Sequence, residues 1–127
     1  MKVGDLMARP PLTIRESDDA ALAAQLMAWG DVRHLPVLRD EHLVGIVSQR
    51  DLLGVGDRNP HISEIMSAPV QTAGPDDEVA DAARRMVVGR LGCLPVLDRG
   101  QLVGILTVTD IVAVQSGLGH PSSLLVG

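Results

Sequence analysis

The chain has 127 residues, 46% of them hydrophobic and 21% charged, which predicts one modest domain or two very small ones around a real core and argues against disorder. Its net charge of −5, with one Trp and no Phe or Tyr, argues against nucleic-acid binding, which needs a basic face and aromatic platforms for stacking bases. Apolar runs break at Gly, Asp or Arg well short of the ~20 residues of a membrane span, and Lys2 runs straight into Val3-Gly4-Asp5, so neither membrane insertion nor secretion is expected.

Along the chain, Thr13 sits in a short extended piece after Pro10. Ser17-Asp18-Asp19 then supplies an N-cap and first-turn acids for a helix whose apolar positions are Ala20, Ala23, Ala24 and Met27, with Gly30 as its stop. "HLPVLR" and "LVGIVS" read as strands joined through Asp40-Glu41 as a hairpin, and Asp51 falls in the first turn of a second helix. "GDRNPH", residues 56–61, is a linker.

The text then repeats. Shifting the chain by 59 positions aligns residues 3–55 with 62–114 without a gap and gives 19 identities in 53 positions. The second copy has Thr72 after Pro69, Asp76-Asp77-Glu78 before the helix, apolar positions at Val79, Ala82, Ala83 and Met86, and Gly89 as the stop. "CLPVLD" and "LVGILT" form its hairpin through Arg99-Gly100, and Asp110 opens its last helix. Each unit is strand–helix–strand–strand–helix. One copy alone, at about 50 residues, is marginal, so the expected fold is α+β, with two repeats related by a pseudo-twofold axis and packed through their sheets. Residues 3–55 form repeat 1, 62–114 form repeat 2, and 115–127 are a tail without pattern.

The residues that could carry chemistry close each repeat: "GIVSQRD" and "GILTVTD". The hydroxyl of Ser48 or Thr107 leaves a strand where a helix starts, and Asp51 or Asp110, three residues on, points into the same space. A carboxylate there can accept two hydrogen bonds from a vicinal diol such as a ribose, while exposed N–H groups and the helix dipole favour a phosphate nearby. The same spacing is also that of a capping box, in which both side chains only satisfy the helix's own N–H groups. Asp is shorter than the usual Glu or Gln of that box, which tilts the reading toward a ligand.

The ordered set "M-x-x-P…T", "D-D-x-x-x-x-A", "L-P-V-L", "L-V-G-I" and S/T-x-x-D, occurring twice over residues 3–114, resembles tandem CBS domains, named after cystathionine β-synthase and together called a Bateman module. The resemblance implies a stand-alone regulatory unit that binds adenine nucleotides (AMP, ADP, ATP) or S-adenosylmethionine in the cleft between repeats, with a regulated protein partner that the residues do not identify. It implies that Asp51 and Asp110 hold the ribose, that Ser48 and Thr107 lie near the sugar-phosphate, and that Thr13 and Thr72 are the threonines of the first strands. The backbone before each "LPV", at His34 and Cys93, would recognise adenine, sandwiched by aliphatic side chains. Arg33, three residues before Pro36, and Arg50, beside Asp51, match basic residues that contact phosphate; Gly92 and Thr109 stand at those places in the second copy. The Asp51 site is therefore expected to hold a charged nucleotide, and the Asp110 site a neutral adenosine moiety or nothing. The resemblance also implies a homodimer formed through apolar helix faces.

His34 and Cys93 occupy equivalent positions, but two ligands are too few for a closed zinc site, so no metal is expected. Cys93, unable to form an internal disulfide, fits a buried thiol in a reducing cytoplasm. His42, His61 and His120 read as surface residues, Trp29 as packing, and Arg84 and Arg85 as a solvated helix face. Three classes of function compete. The leading one is a non-catalytic adenosyl-ligand module; the others are a ligand-free structural or interaction module, and an enzyme, for which no nucleophile–base or metal set is visible.

Overall fold

The computed structural model of the chain describes residues 1–115; the rest of the expected tail, with His120, lies outside the described residues. In chain order the elements are α1 (Val3–Leu6), β1 (Ile14–Arg15), α2 (Ala20–Gly30), β2 (His34–Arg39), β3 (His42–Ser48), α3 (Gln49–Leu53), a one-turn 3-10 helix (Ile62–Glu64), α4 (Val79–Gly89), β4 (Cys93–Asp98), β5 (Gln101–Thr107) and α5 (Val108–Gln115). They form two compact units. One is Pro11–Val70; the other joins Met1–Pro10 to the chain from Gln71 onward.

In the Pro11–Val70 unit, β1 runs parallel to β2 with Ile14 opposite Val37, and β2 pairs antiparallel with β3 from His34–Ser48 to Arg39–His42. Asp40 and Glu41 both hold positive φ (48° and 70°), the two-residue turn whose twist suits a hairpin. Asp19 caps α2, its carboxylate accepting the Leu22 N–H at 2.9 Å. The linker supports this helix start: Asn59 accepts from Ala21 N and donates to Asp19, and the Pro60 carbonyl accepts from Ala20 N. Ile14, Ala23, Met27, Leu35, Val37, Val47 and Ile62 are its buried core.

The other unit repeats this plan on β4 and β5, paired from Cys93–Thr107 to Asp98–Gln101, with Arg99 and Gly100 in the turn. Its core is Val3, Leu6, Met7, Ala73, Ala82, Met86, Leu94, Val96, Leu106 and Ile111. Its first strand is shorter than expected. Only Ala73 pairs, through Ala73 N to Pro95 O and Leu97 N to Ala73 O, both 2.9 Å. The next residues explain this: where the first repeat has Arg15-Glu16, and the Glu16 N–H continues the ladder to Leu38 O, this one has Gly74-Pro75, and proline has no N–H to donate.

Each unit is completed by an opening segment that the repeat pattern assigns to the other copy. The segment around Ser67 bridges Ile46 in β3, and the segment around Ala8 bridges Ile105 in β5. The glycine of each "LVGI" makes room for this: a Cβ at Gly45 would stand 2.5 Å from Met66 Sδ, and one at Gly104 2.5 Å from Met7 Sδ and 3.0 Å from the Ala8 carbonyl. The expected glycine stops also differ. Gly30 and Gly89 are the last helical residues, and the left-handed caps are Asp31 and Arg90 (φ 52° and 54°). Gly30 serves packing instead, since a Cβ there would come within 2.8 Å of Leu12.

Candidate functional site

In the Pro11–Val70 unit the structure gathers five of the singled-out residues where β2 starts, β3 ends and α3 begins. His34 is paired opposite Ser48 in the ladder, and the Gln49 N–H donates to the Arg33 carbonyl at 2.9 Å, tying the start of β2 to the first turn of α3. Ser48 N donates to Asp51 Oδ2 at 2.8 Å and Asp51 N to Ser48 Oγ at 3.2 Å, so the capping box is formed. That box uses one carboxylate oxygen and the acceptor side of the hydroxyl. Asp51 Oδ1 and the Ser48 O–H hydrogen have no partner among the described residues, and Asp51 is only half-buried. The cap and a ligand contact are therefore compatible in this corner. Arg33 and Arg50 are exposed beside it, and Thr13, half-buried, directly precedes β1. His34 is half-buried and makes no hydrogen bond among the described residues. Burial lowers its pKa below the usual histidine value, the Asp51 carboxylate opposes that shift, and Arg33 adds to it.

The equivalent corner of the other unit has the same backbone and different chemistry. Thr107 N and Thr107 Oγ1 both donate to Asp110 Oδ2, at 2.8 and 3.1 Å, and Asp110 N donates weakly to Thr107 Oγ1 at 3.4 Å. Here the hydroxyl proton is committed to the carboxylate. Asp110 is 5% exposed and is the buried charged residue among those described. Val108 N reaches the Gly92 carbonyl at 3.2 Å, where the other corner has Arg33. Cys93, at His34's place, is buried, and burial pushes its thiol up to about 12.

Two sequence expectations change. Arg84 is a surface residue paired with Asp81, but Arg85 is half-buried and donates to the Thr72 carbonyl at 2.8 Å, bringing a cation to the threonine of this unit's first strand. The sequence signal was faint: Arg85 stands where the first repeat has the apolar Leu26. Trp29 is not packed into the core of the described residues; it is 81% exposed, with Leu53, Val87 and Val88 almost as open. His42 and His61 are on the surface as expected, and Nδ1 of each ring meets a backbone carbonyl. Among the described residues no group of three His, Cys, Asp or Glu is placed to hold a metal ion, and no helix is long and apolar enough to cross a membrane.

Comparison with known proteins places this geometry. The CBS domain family matches the chain twice, over residues 3–57 and 62–117. The chain is 34% identical over 122 residues to homoserine O-acetyltransferase of Methanohalophilus mahii, covering 94% of this chain and 25% of that protein. It is 34% identical over 111 residues to inosine-5'-monophosphate dehydrogenase of Thermoplasma acidophilum, covering 87% and 23%. The chain thus spans about a quarter of the length of these curated relatives. Among solved structures, it resembles the CBS domain pair of protein MJ0100 in complex with 5'-methylthioadenosine and S-adenosyl-L-methionine, at a TM-score of 0.87 and 30% identity over 92% of this chain and 97% of that one. It also resembles CBSX2 in complex with AMP, at a TM-score of 0.81 and 27% identity over 92% and 97%. With two family matches that together span most of the chain and two units of the same plan, the chain belongs to the CBS domain family as a tandem pair.

Proposed function

We propose that this chain is a non-catalytic regulatory module that binds an adenine nucleotide or a related adenosyl compound and acts in the cytoplasm. The observation that carries the reading is the Ser48–Asp51 corner, whose cap is complete while one carboxylate oxygen and one hydroxyl hydrogen stay available to a ribose diol. The relatives crystallised with S-adenosyl-L-methionine, 5'-methylthioadenosine and AMP support the ligand class. Exposed Arg33 and Arg50 favour a phosphorylated ligand here, and Thr13 and the backbone at His34 border the same end of the sheet. In the other unit, Thr72, Cys93, Thr107 and Asp110 form a neutral-ligand corner or an unused one.

The exposed apolar residues of the helices, Trp29 and Leu53 in one unit and Val87, Val88, Val108 and Val112 in the other, support a homodimer formed through those faces. A ligand-free interaction module is the second reading. It is favoured by the Thr107–Asp110 corner, where the motif's hydrogen bonds are turned inward. A thermal-shift panel of AMP, ADP, ATP, S-adenosylmethionine and adenosine, with sedimentation of the same sample, tests both. A ligand that binds only the folded state raises the melting midpoint with dose. A flat response to all five compounds from a well-behaved dimer would favour the interaction module.

A further inference from the structure

We propose that the His34 imidazole is a specificity-determining group of the Ser48–Asp51 corner, one that takes up a proton when an anionic ligand binds and so makes the site's preference for phosphorylated over neutral ligands increase as the pH falls. The inference rests on the nucleotide reading above and adds a side chain that the repeat motif does not single out, since the motif's interest at this position is in the backbone.

Three observations carry it. First, His34 opens β2 directly opposite Ser48, the residue that caps α3, so the ring belongs to the same corner as Asp51. Second, among the described residues the half-buried ring has no hydrogen-bond partner and no buried polar side-chain atom lacks one, so its nitrogens stay open to solvent or to a ligand. Third, its charged surroundings are few. α3 contributes Asp51 and the exposed Arg50, the residue before β2 is Arg33, β3 contributes the neutral Ser48, and α2, which packs on β2, has no titratable residue.

In that setting burial and Arg33 keep the free imidazole neutral at neutral pH, against the pull of Asp51. A phosphate held by Arg33 or Arg50 adds negative charge and offsets the Arg33 repulsion, which favours the imidazolium. Binding then draws one proton from solvent onto the ring. Affinity for the anion rises as pH falls through the histidine's pKa in the complex, and levels off below its pKa in the free protein. Each unit by which the ligand raises that pKa corresponds to a tenfold gain. In the other repeat Cys93 stands at this position, and a thiol titrating at about 12 cannot play that part.

The test is calorimetric titration of the full chain with AMP and with adenosine, from about pH 8 to about pH 5.5, in two buffers of different ionisation enthalpy. For AMP the expected result is net proton uptake and an affinity that gains about tenfold over His34→Gln on acidification. Adenosine affinity should be independent of pH in wild type and variant alike. The AMP phosphate itself titrates near pH 6, so the difference between wild type and variant is the readout. If His34→Gln misfolds, the imidazole ring resonances of the wild-type chain, titrated with and without AMP, supply the same quantity: the His34 pKa should rise on binding. AMP binding with equal proton uptake in wild type and variant, or with an unmoved His34 titration, overturns this inference alone. Failure of AMP to bind at any pH overturns the nucleotide reading and the inference with it.

Discussion

The Ser48–Asp51 and Thr107–Asp110 corners share a backbone plan and differ in what they leave over. Both strands end on a hydroxyl, both helices carry an Asp in the first turn, and in both the strand residue's N–H donates to Asp Oδ2 at 2.8 Å. In both, the Asp N–H donates to the hydroxyl oxygen, and one added hydrogen bond separates them. The Thr107 hydroxyl gives its proton to Asp110, whereas the Ser48 hydroxyl only accepts. Burial follows the same line, with Asp110 sealed and Asp51 half-open. One motif therefore commits its hydroxyl proton within the fold in one unit, and in the other leaves a carboxylate oxygen and a hydroxyl hydrogen without a partner among the described residues. A sequence pattern reports the cap; only the surplus of donors and acceptors reports a site.

The largest effect should come from Asp51→Ala. Losing the charge-assisted hydrogen bonding of its unpaired oxygen to a ribose should weaken both adenosine and AMP by about tenfold to a hundredfold, measured by calorimetric titration. Arg33→Ala should weaken AMP about tenfold and leave adenosine nearly unchanged. Binding at the Ser48 corner should survive Asp110→Ala; if that change abolishes AMP binding while Asp51→Ala does not, the comparison is reversed.

Next in size is stability. Asp110→Ala removes both hydrogen bonds from Thr107 in a buried setting and should cost about 1–3 kcal/mol in urea unfolding, more than Asp51→Ala at its half-open position. Equal losses would mean that the two carboxylates do the same work.

The smallest effect concerns the pair at the strand starts. Cys93 should react slowly with thiol reagents in the native chain and quickly in denaturant. Its folded pKa lies above its ordinary 9.0, so the neutral thiol's contribution to stability is complete below that value and fades as pH climbs toward about 12. Over that alkaline range the wild-type urea midpoint should fall more steeply than that of Cys93→Ala; parallel curves would show that the thiol is not sealed.

Much of this protein was legible because the deciding interactions are short in sequence. The hairpin turns at Asp40-Glu41 and Arg99-Gly100, the capping boxes and the duplication itself involve neighbours within a few positions, or identity at a fixed shift, and both can be read directly. The Asp19 cap is equally local. What the sequence left open depends on contacts far apart along the chain. Periodicity marks Met7 and Met66 as apolar but does not say which glycine each will cover, and the structure sets them on Gly104 and Gly45. An Arg on a helix reads as solvated until a carbonyl thirteen residues away proves to be its partner, as Thr72 is for Arg85. The lone Trp reads as core until the packing leaves it outside. Local hydrogen-bond chemistry is fixed by the residues that supply it, so sequence alone determined the two hairpins, the helices α2 and α4 and the closing motif. Burial is a property of the whole folded surface, so the tertiary structure alone decided that Asp110 is closed and Asp51 is open.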